Sequence, residues 1–194
     1  PMSSGDPLLL DVFADIACPW CFIGHRRLTA ARAAWDERED VPPLAVRHRA
    51  FQLQPDLPPD GEPAAAFYAR RFGSPEQATA IFARVREAGA EDGIAFAFEE
   101  MPKAANTLLA HRAVALARDQ GAQDAALDAL YEAYFVQAVD ITDAATIVAV
   151  LTAAGLPDPG AIAAGLAADG GVQATAADLG LGRELEVSAV PLVV

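Results

Sequence analysis

Leu8-Leu9-Leu10-Asp11-Val12-Phe13, then Ala14-Asp15-Ile16-Ala17, then Cys18-Pro19-Trp20-Cys21, is the stretch on which the fold turns. The first run is short and apolar, as a buried strand would be. From Phe22 to Glu39 the pattern changes. Phe22, Leu28, Ala31 and Trp35 recur at helix-compatible spacing. Pro19 suits a first-turn position, where its missing N–H costs nothing. The spacing therefore predicts a strand that hands over to a helix N-terminus at Cys18-Pro19-Trp20-Cys21.

Cys18 and Cys21 are the chain's two cysteines, so no disulfide framework is available. In a reducing compartment such a pair reads as catalytic or metal-binding. A thiolate attacks a disulfide and a thiol does not. A helix N-terminus offers partial positive charge and unpaired N–H groups, which favour the anion. Cys18 is thus the candidate nucleophile. Cys21, one turn further in, is the candidate resolving thiol. The pair closes a very small loop, so a disulfide here gains little chain entropy and exchanges readily. Pro19 and Trp20 are expected to tune its potential. Asp15, three residues ahead, has three readings: a proton acceptor for Cys21, a charge that disfavours the thiolate, or a local cap. Two further readings compete. Zinc could use Cys18, Cys21 and His25, but a structural site wants a fourth ligand and His48 and His111 are isolated, so no metal is expected. Both cysteines could also be inert core residues.

Outward from this centre, Pro42-Pro43 stops the first helix, and Leu44 to Phe51 alternates as a second strand. Strand, helix and strand make a βαβ unit. Residues 54–63 are Pro-rich and read as a linker. Helices are expected over 64–72, 75–89, 107–120, 123–138, 143–154, 159–168 and 172–182. Asn106 and Asp143 would cap two of them, and Gly73, Gly121, Gly155, Gly170 and Gly182 would stop others. Val187 to Val194 reads as a loop and a third strand. The expected fold is α/β, with an N-terminal βαβ half over 8–60 and an all-helical insertion over 61–186. A C-terminal half begins over 187–194, with its further strands and closing helix expected outside the given residues.

At 194 residues the chain can bury a core without staples, and 53% hydrophobic residues exclude intrinsic disorder. No apolar stretch reaches the length of a membrane span. A net charge of −13 argues against nucleic acid as a partner. The charge is uneven: from Asp119 to Gly182 there is no Lys or Arg, while nine acidic residues fall inside. That segment is either a surface for basic partners or a set of solvated helix faces. Pro1, ahead of Met2, is set aside from fold reasoning. Leu8 to Leu10 is cut short by Asp11 and no basic region precedes it, so no secretory signal is read and a cytoplasmic location is expected.

Asp15-Ile16-Ala17-Cys18-Pro19-Trp20-Cys21-Phe22-Ile23-Gly24, with Val190-Pro191 near the end, resembles the DsbA-like branch of the thioredoxin superfamily. The resemblance is nearest to its FrnE-like group, which is related to the 2-hydroxychromene-2-carboxylate isomerases. Phe51-Gln52-Leu53-Gln54-Pro55, Asn106-Thr107-Leu108-Leu109-Ala110-His111-Arg112 and Ala133-Tyr134-Phe135 also look like that family's segments. The resemblance implies a thioredoxin fold with a helical insertion and a thiol–disulfide oxidoreductase activity. It implies a cis Val190–Pro191 peptide beside Cys18, offering the Val190 backbone to a substrate strand; a trans Pro at a strand start is the ordinary alternative. It places Asn106 and His111 near the groove as substrate-binding residues, whereas a helix cap and a hydrogen-bonded His would explain them equally. Ala189 stands where the family often has Gly, which narrows the approach. The expected partners are protein or small-molecule thiols and disulfides, without cofactor, glutathione being a candidate co-substrate. The competing function is a glutathione-dependent isomerase or transferase on a small aromatic or polyketide-like substrate, which would not need Cys21.

Overall fold

β1 (Leu8–Ala14) and β2 (Leu44–Ala50) run parallel, with Leu8 opposite Leu44 through Ala14 opposite Ala50, and α1 (Pro19–Asp36) is the crossover between them. This computed structural model describes residues 7–194; Pro1 and Met2 lie outside the described residues. α1 closes at Asp36, before Pro42-Pro43 is reached. After Trp35 the residues are charged and the helix has nothing further to bury. The Trp35 indole instead donates to the Pro42 carbonyl at 2.9 Å.

The last strand, β5 (Leu192–Val193), pairs antiparallel with the other side of β1, giving the order β2-β1-β5. Between β2 and β5 lie seven of the described helices: α2 (Ala64–Phe72), α3 (Pro75–Ala90), α4 (Leu108–Asp119), α5 (Gln123–Phe135), α6 (Ala144–Ala153), α7 (Pro159–Ala167) and α8 (Val172–Glu184). These match the expected helices closely, because each buries part of its surface against the core. Ser74, Asp143 and Asp158 each cap a helix through the side chain.

Four expectations need correction. The insertion is not all-helical: β3 (Glu62–Pro63) pairs antiparallel with β4 (Lys103–Ala104), and two-residue strands are too short to show a period. Gly182 does not stop α8. It is buried inside the helix, which runs on to Glu184, and a Cβ there would only reach ordinary contact with the Phe13 ring at 3.5 Å. Asn106 is not the cap residue of α4, since that position falls on Thr107. The residues 54–63 read as a linker are also tied down: Leu57 is buried against Phe67 and Ala104.

The insertion and the βαβ half share one core. Ala14, Ile16 and Phe22 join Leu130, Tyr131, Phe135, Ile147 and Leu166 in a continuous apolar cluster. Aromatic rings carry its middle. Phe22 stacks on Tyr131 at 5.1 Å, Phe96 on Phe98 at 4.8 Å and Phe98 on Phe82 at 4.2 Å. Such pairs add about 0.5–1.5 kcal/mol each beyond the area they bury.

The acidic segment turns out to be largely neither a free surface nor mere solvated helix face. Asp124 pairs with Arg32 and His48, and Asp128 and Glu132 meet Arg26. Asp140 pairs with Lys103, and Asp178 with Arg49 and Arg118. The cations therefore come from outside the acidic segment, and the uneven charge fits the insertion to its neighbours.

Candidate active site

Cys18 is the N-cap of α1. Its backbone is extended (φ −100°, ψ 111°) and Pro19 opens the helix behind it. The Cys18 sulfur accepts the Cys21 backbone N–H at 3.4 Å. Its thiol lies 3.9 Å from the Val190 carbonyl oxygen, to which it donates. Both cysteines are free thiols. They differ in what they face. Cys21 is sealed, whereas the small exposed part of Cys18 opens onto a cavity of about 230 Å³. Trp20, 47% exposed, stands at the rim of that cavity.

The same contacts split the two thiols electrostatically. The Cys18 thiol is held below the ordinary cysteine value, chiefly by the hydrogen bond it receives from the Cys21 thiol, with backbone N–H groups of Cys21 and Trp20 helping. Burial and the Asp15 charge oppose this but do not win. Cys21 is pushed well above the ordinary value, first by burial and then by the hydrogen bond and charge it shares with Cys18. These contacts make Cys18 the easier of the two to ionise and Cys21 the harder.

Asp15 is fully buried beneath the pair. Its carboxylate accepts from the Leu53 N–H at 2.7 Å, the Ala17 N–H at 3.3 Å and His111 Nε2 at 3.2 Å. His111 Nε2 also lies 2.9 Å from the Phe51 carbonyl. That oxygen can only accept, so Nε2 carries the proton. Asp15 therefore ties three chain segments together, and its charge opposes ionisation of both thiols.

The Val190–Pro191 peptide is cis and lies against α1. Gly24 makes the approach feasible: a Cβ there would stand 3.1 Å from Pro191 Cγ. Ala189 is exposed in the same loop. Asn106 is engaged elsewhere. Its Oδ1 accepts from Gln52 and from the Leu108 N–H, and its Nδ2 donates to the Leu57 carbonyl at 2.7 Å. Cys18, Pro19, Trp20, Val190 and Pro191 thus gather at one place. Asp15 and His111 lie beneath them, and Asn106 braces the loop beside them.

His25, weighed above as a metal ligand, turns its ring toward His48 at 5.3 Å and Tyr131 at 5.7 Å. Burial, then the His48 charge, lowers its pKa to about 4. Among the described residues no three His, Cys, Asp or Glu side chains converge as metal ligands would.

Sequence reasoning missed the cavity walls. Tyr68, Phe82, Val85, Phe98 and Phe135 converge beside Cys18 from α2, α3, α5 and the segment before β4. Their separation along the chain leaves no local signal; the repeated aromatics at 67, 68, 72, 82, 96 and 98 are the nearest thing to one.

A helix-capping dithiol beside a cis X–Pro loop on a βαβ sheet defines a thioredoxin-like protein. The chain belongs to the DSBA-like thioredoxin domain family, which matches residues 9–194. A probable DsbA oxidoreductase from Streptomyces coelicolor is similar at 29% identity and a TM-score of 0.81, over 96% of this chain and 79% of that one. The cytosolic disulfide reductase DsbM from Pseudomonas aeruginosa, in a structure with GSH, shares the fold at 18% identity and a TM-score of 0.64, over 96% and 85%. A 2-hydroxychromene-2-carboxylate isomerase shares it at 13% identity and a TM-score of 0.71, over 96% and 85%. No curated protein matches the chain. No helix among the described residues is long and apolar enough to cross a membrane.

Proposed function

We propose that this protein is a thiol–disulfide oxidoreductase that works through Cys18 and Cys21. The observation that carries the reading is the inequality of the two thiols: Cys18 is lowered and faces a cavity, Cys21 is raised and sealed. The Cys18 thiolate attacks one sulfur of a substrate disulfide and the other sulfur leaves as thiolate. Cys21, on losing its proton, then attacks Cys18 within the mixed disulfide. The substrate's second thiol is released and the Cys18–Cys21 disulfide forms. Two electrons pass to the substrate. Run backwards, the same steps oxidise a dithiol. The Val190 carbonyl, close to Cys18, is suited to hold an extended substrate segment by a backbone hydrogen bond. No cofactor is required by this chemistry. A small thiol such as glutathione can restore the reduced form, and the neighbour named as a cytosolic reductase supports work in a reducing compartment.

Cys18→Ser tests the assignment. Exchange with a disulfide substrate is expected to vanish, while Cys21→Ser is expected to accumulate a mixed disulfide on Cys18, seen by intact-mass measurement. Undiminished exchange by Cys18→Ser overturns it.

The aromatic-walled cavity favours one second reading, a glutathione-dependent isomerase or transferase acting on a small aromatic substrate. That reading expects Cys21→Ala to keep full glutathione-dependent turnover; the dithiol reading expects it to lose turnover.

A further inference from the structure

The cavity beside Cys18 has a shape and charge that select among disulfides. Its walls are aromatic and aliphatic: Tyr68, Phe82, Val85, Phe98 and Phe135. A dry apolar cavity of about 150 Å³ takes a benzene ring. At about 230 Å³ this one has room for a single substituted ring and little more. Arg71 is exposed and contributes the lining's cation. Its neighbour Arg70 is held by Glu62, whereas Arg71 has no carboxylate partner among the described residues. It stands one helical turn from Tyr68 on α2, so both reach the same cavity. An unpaired cation on a chain of net charge −13 is a specific attractant for an anion. A tripeptide thiol, with two carboxylates, an ammonium and two peptide bonds, would find few polar partners on these walls.

We infer that this cavity binds the aryl half of a small aromatic disulfide that carries a carboxylate, with the ring between Tyr68, Phe82 and Phe98 and the carboxylate on Arg71. The inference rests on Cys18 being the attacking sulfur. Cys18 thiolate attacks the aryl-bearing sulfur and the other half leaves as thiolate. Cys21, once deprotonated, then displaces the aryl thiolate from Cys18 as the intramolecular disulfide forms. A small thiol reduces the protein for the next cycle.

Binding and exchange are read separately. The S-methyl thioether of thionitrobenzoic acid cannot exchange. It is expected to quench Trp20 fluorescence saturably in a Trp35→Phe background. Stopped-flow rates of the reduced protein are then measured with dithiobis(nitrobenzoic acid), dithiodipyridine and hydroxyethyl disulfide, each divided by its rate with free dithiothreitol. Arg71→Glu is expected to lower the ratio of carboxylated to neutral aryl rates about five-fold, an effect that shrinks with salt. Ile81→Trp fills the cavity from α3 and is expected to lower the ratio of neutral aryl to aliphatic rates about ten-fold. Exchange with all three disulfides, without saturable thioether binding and with both ratios unmoved, overturns the inference and leaves the dithiol chemistry standing. Saturable thioether binding without exchange at any disulfide overturns the dithiol chemistry and leaves the ligand class of the cavity standing.

Discussion

The βαβ half and the helical insertion solve different problems. The half that carries Cys18 and Cys21 is a sheet of three strands, with Leu8, Leu9 and Val193 substantially exposed. Its reactive features are local. The α1 start, the hydrogen bond between the two thiols, burial and the Asp15 charge set the character of two sulfurs within a few ångströms. The insertion holds most of the buried rings, and it builds the cavity from segments up to about seventy residues apart in sequence. Reactivity is therefore written in a short stretch of chain, while stability and substrate fit are distributed across a long one. Substitutions in the two regions should fail in different ways.

The largest effects belong to the dithiol. Cys18→Ser removes exchange altogether but leaves thermal unfolding nearly where it was, since Ser keeps the cap. In the insertion the pattern inverts. Leu151→Ala opens a cavity beneath α6, where Leu151 is fully buried and does not line the cavity beside Cys18. It is expected to cost about 2–5 kcal/mol in denaturant unfolding, and Cys18 should keep its reactivity in the molecules that remain folded. Loss of exchange per folded molecule would break the comparison.

His25 lies at the seam between the regions. Its folded value of about 4 lies below the ordinary 6.5. The unfolded chain therefore takes up a proton first as pH falls. The stability from keeping His25 neutral is complete above pH 6.5 and is lost on descent toward pH 4. A tenfold difference in proton affinity between the folded and unfolded chain is worth about 1.4 kcal/mol, so the fall is roughly 3 kcal/mol. His25→Leu should flatten that window in urea titrations. Asp11, held at about 2 chiefly by its hydrogen bond to Arg47, loses its contribution only below pH 4, so the windows separate. The smallest effect sharpens the contrast most. Gly24→Ala gains up to about 1 kcal/mol of helix propensity, offset by the Cβ it sets 3.1 Å from Pro191 Cγ. Pressing on Pro191 should slow exchange several-fold. A variant slowed in exchange but little changed in stability shows that reactivity and stability are set apart.

The sequence announces the first region almost completely. Apolar residues at 8–10 and 12–13, Pro19 behind Cys18 and alternation over 44–51 all report local geometry, and local geometry is what periodicity records. It also shows the helices, from their apolar spacing, with Asp143 marking the start of α6 as read. It does not show that Asp124, Asp128 and Glu132 face the α1 arginines and the β2 His48, nor that Asn106 braces Leu57 and Gln52. Those pairings join residues tens of positions apart and depend on how helices dock. Gly182 misleads for the same reason. A glycine inside a helix held by its docking looks, along the chain, like one that breaks a helix.

The most direct measurement is peptide-resolved alkylation of the reduced protein by iodoacetamide across pH. Cys18 should label with a midpoint below that of an ordinary cysteine, and Cys21 should resist labelling well above it. Equal midpoints, or faster labelling of Cys21, would contradict the unequal dithiol.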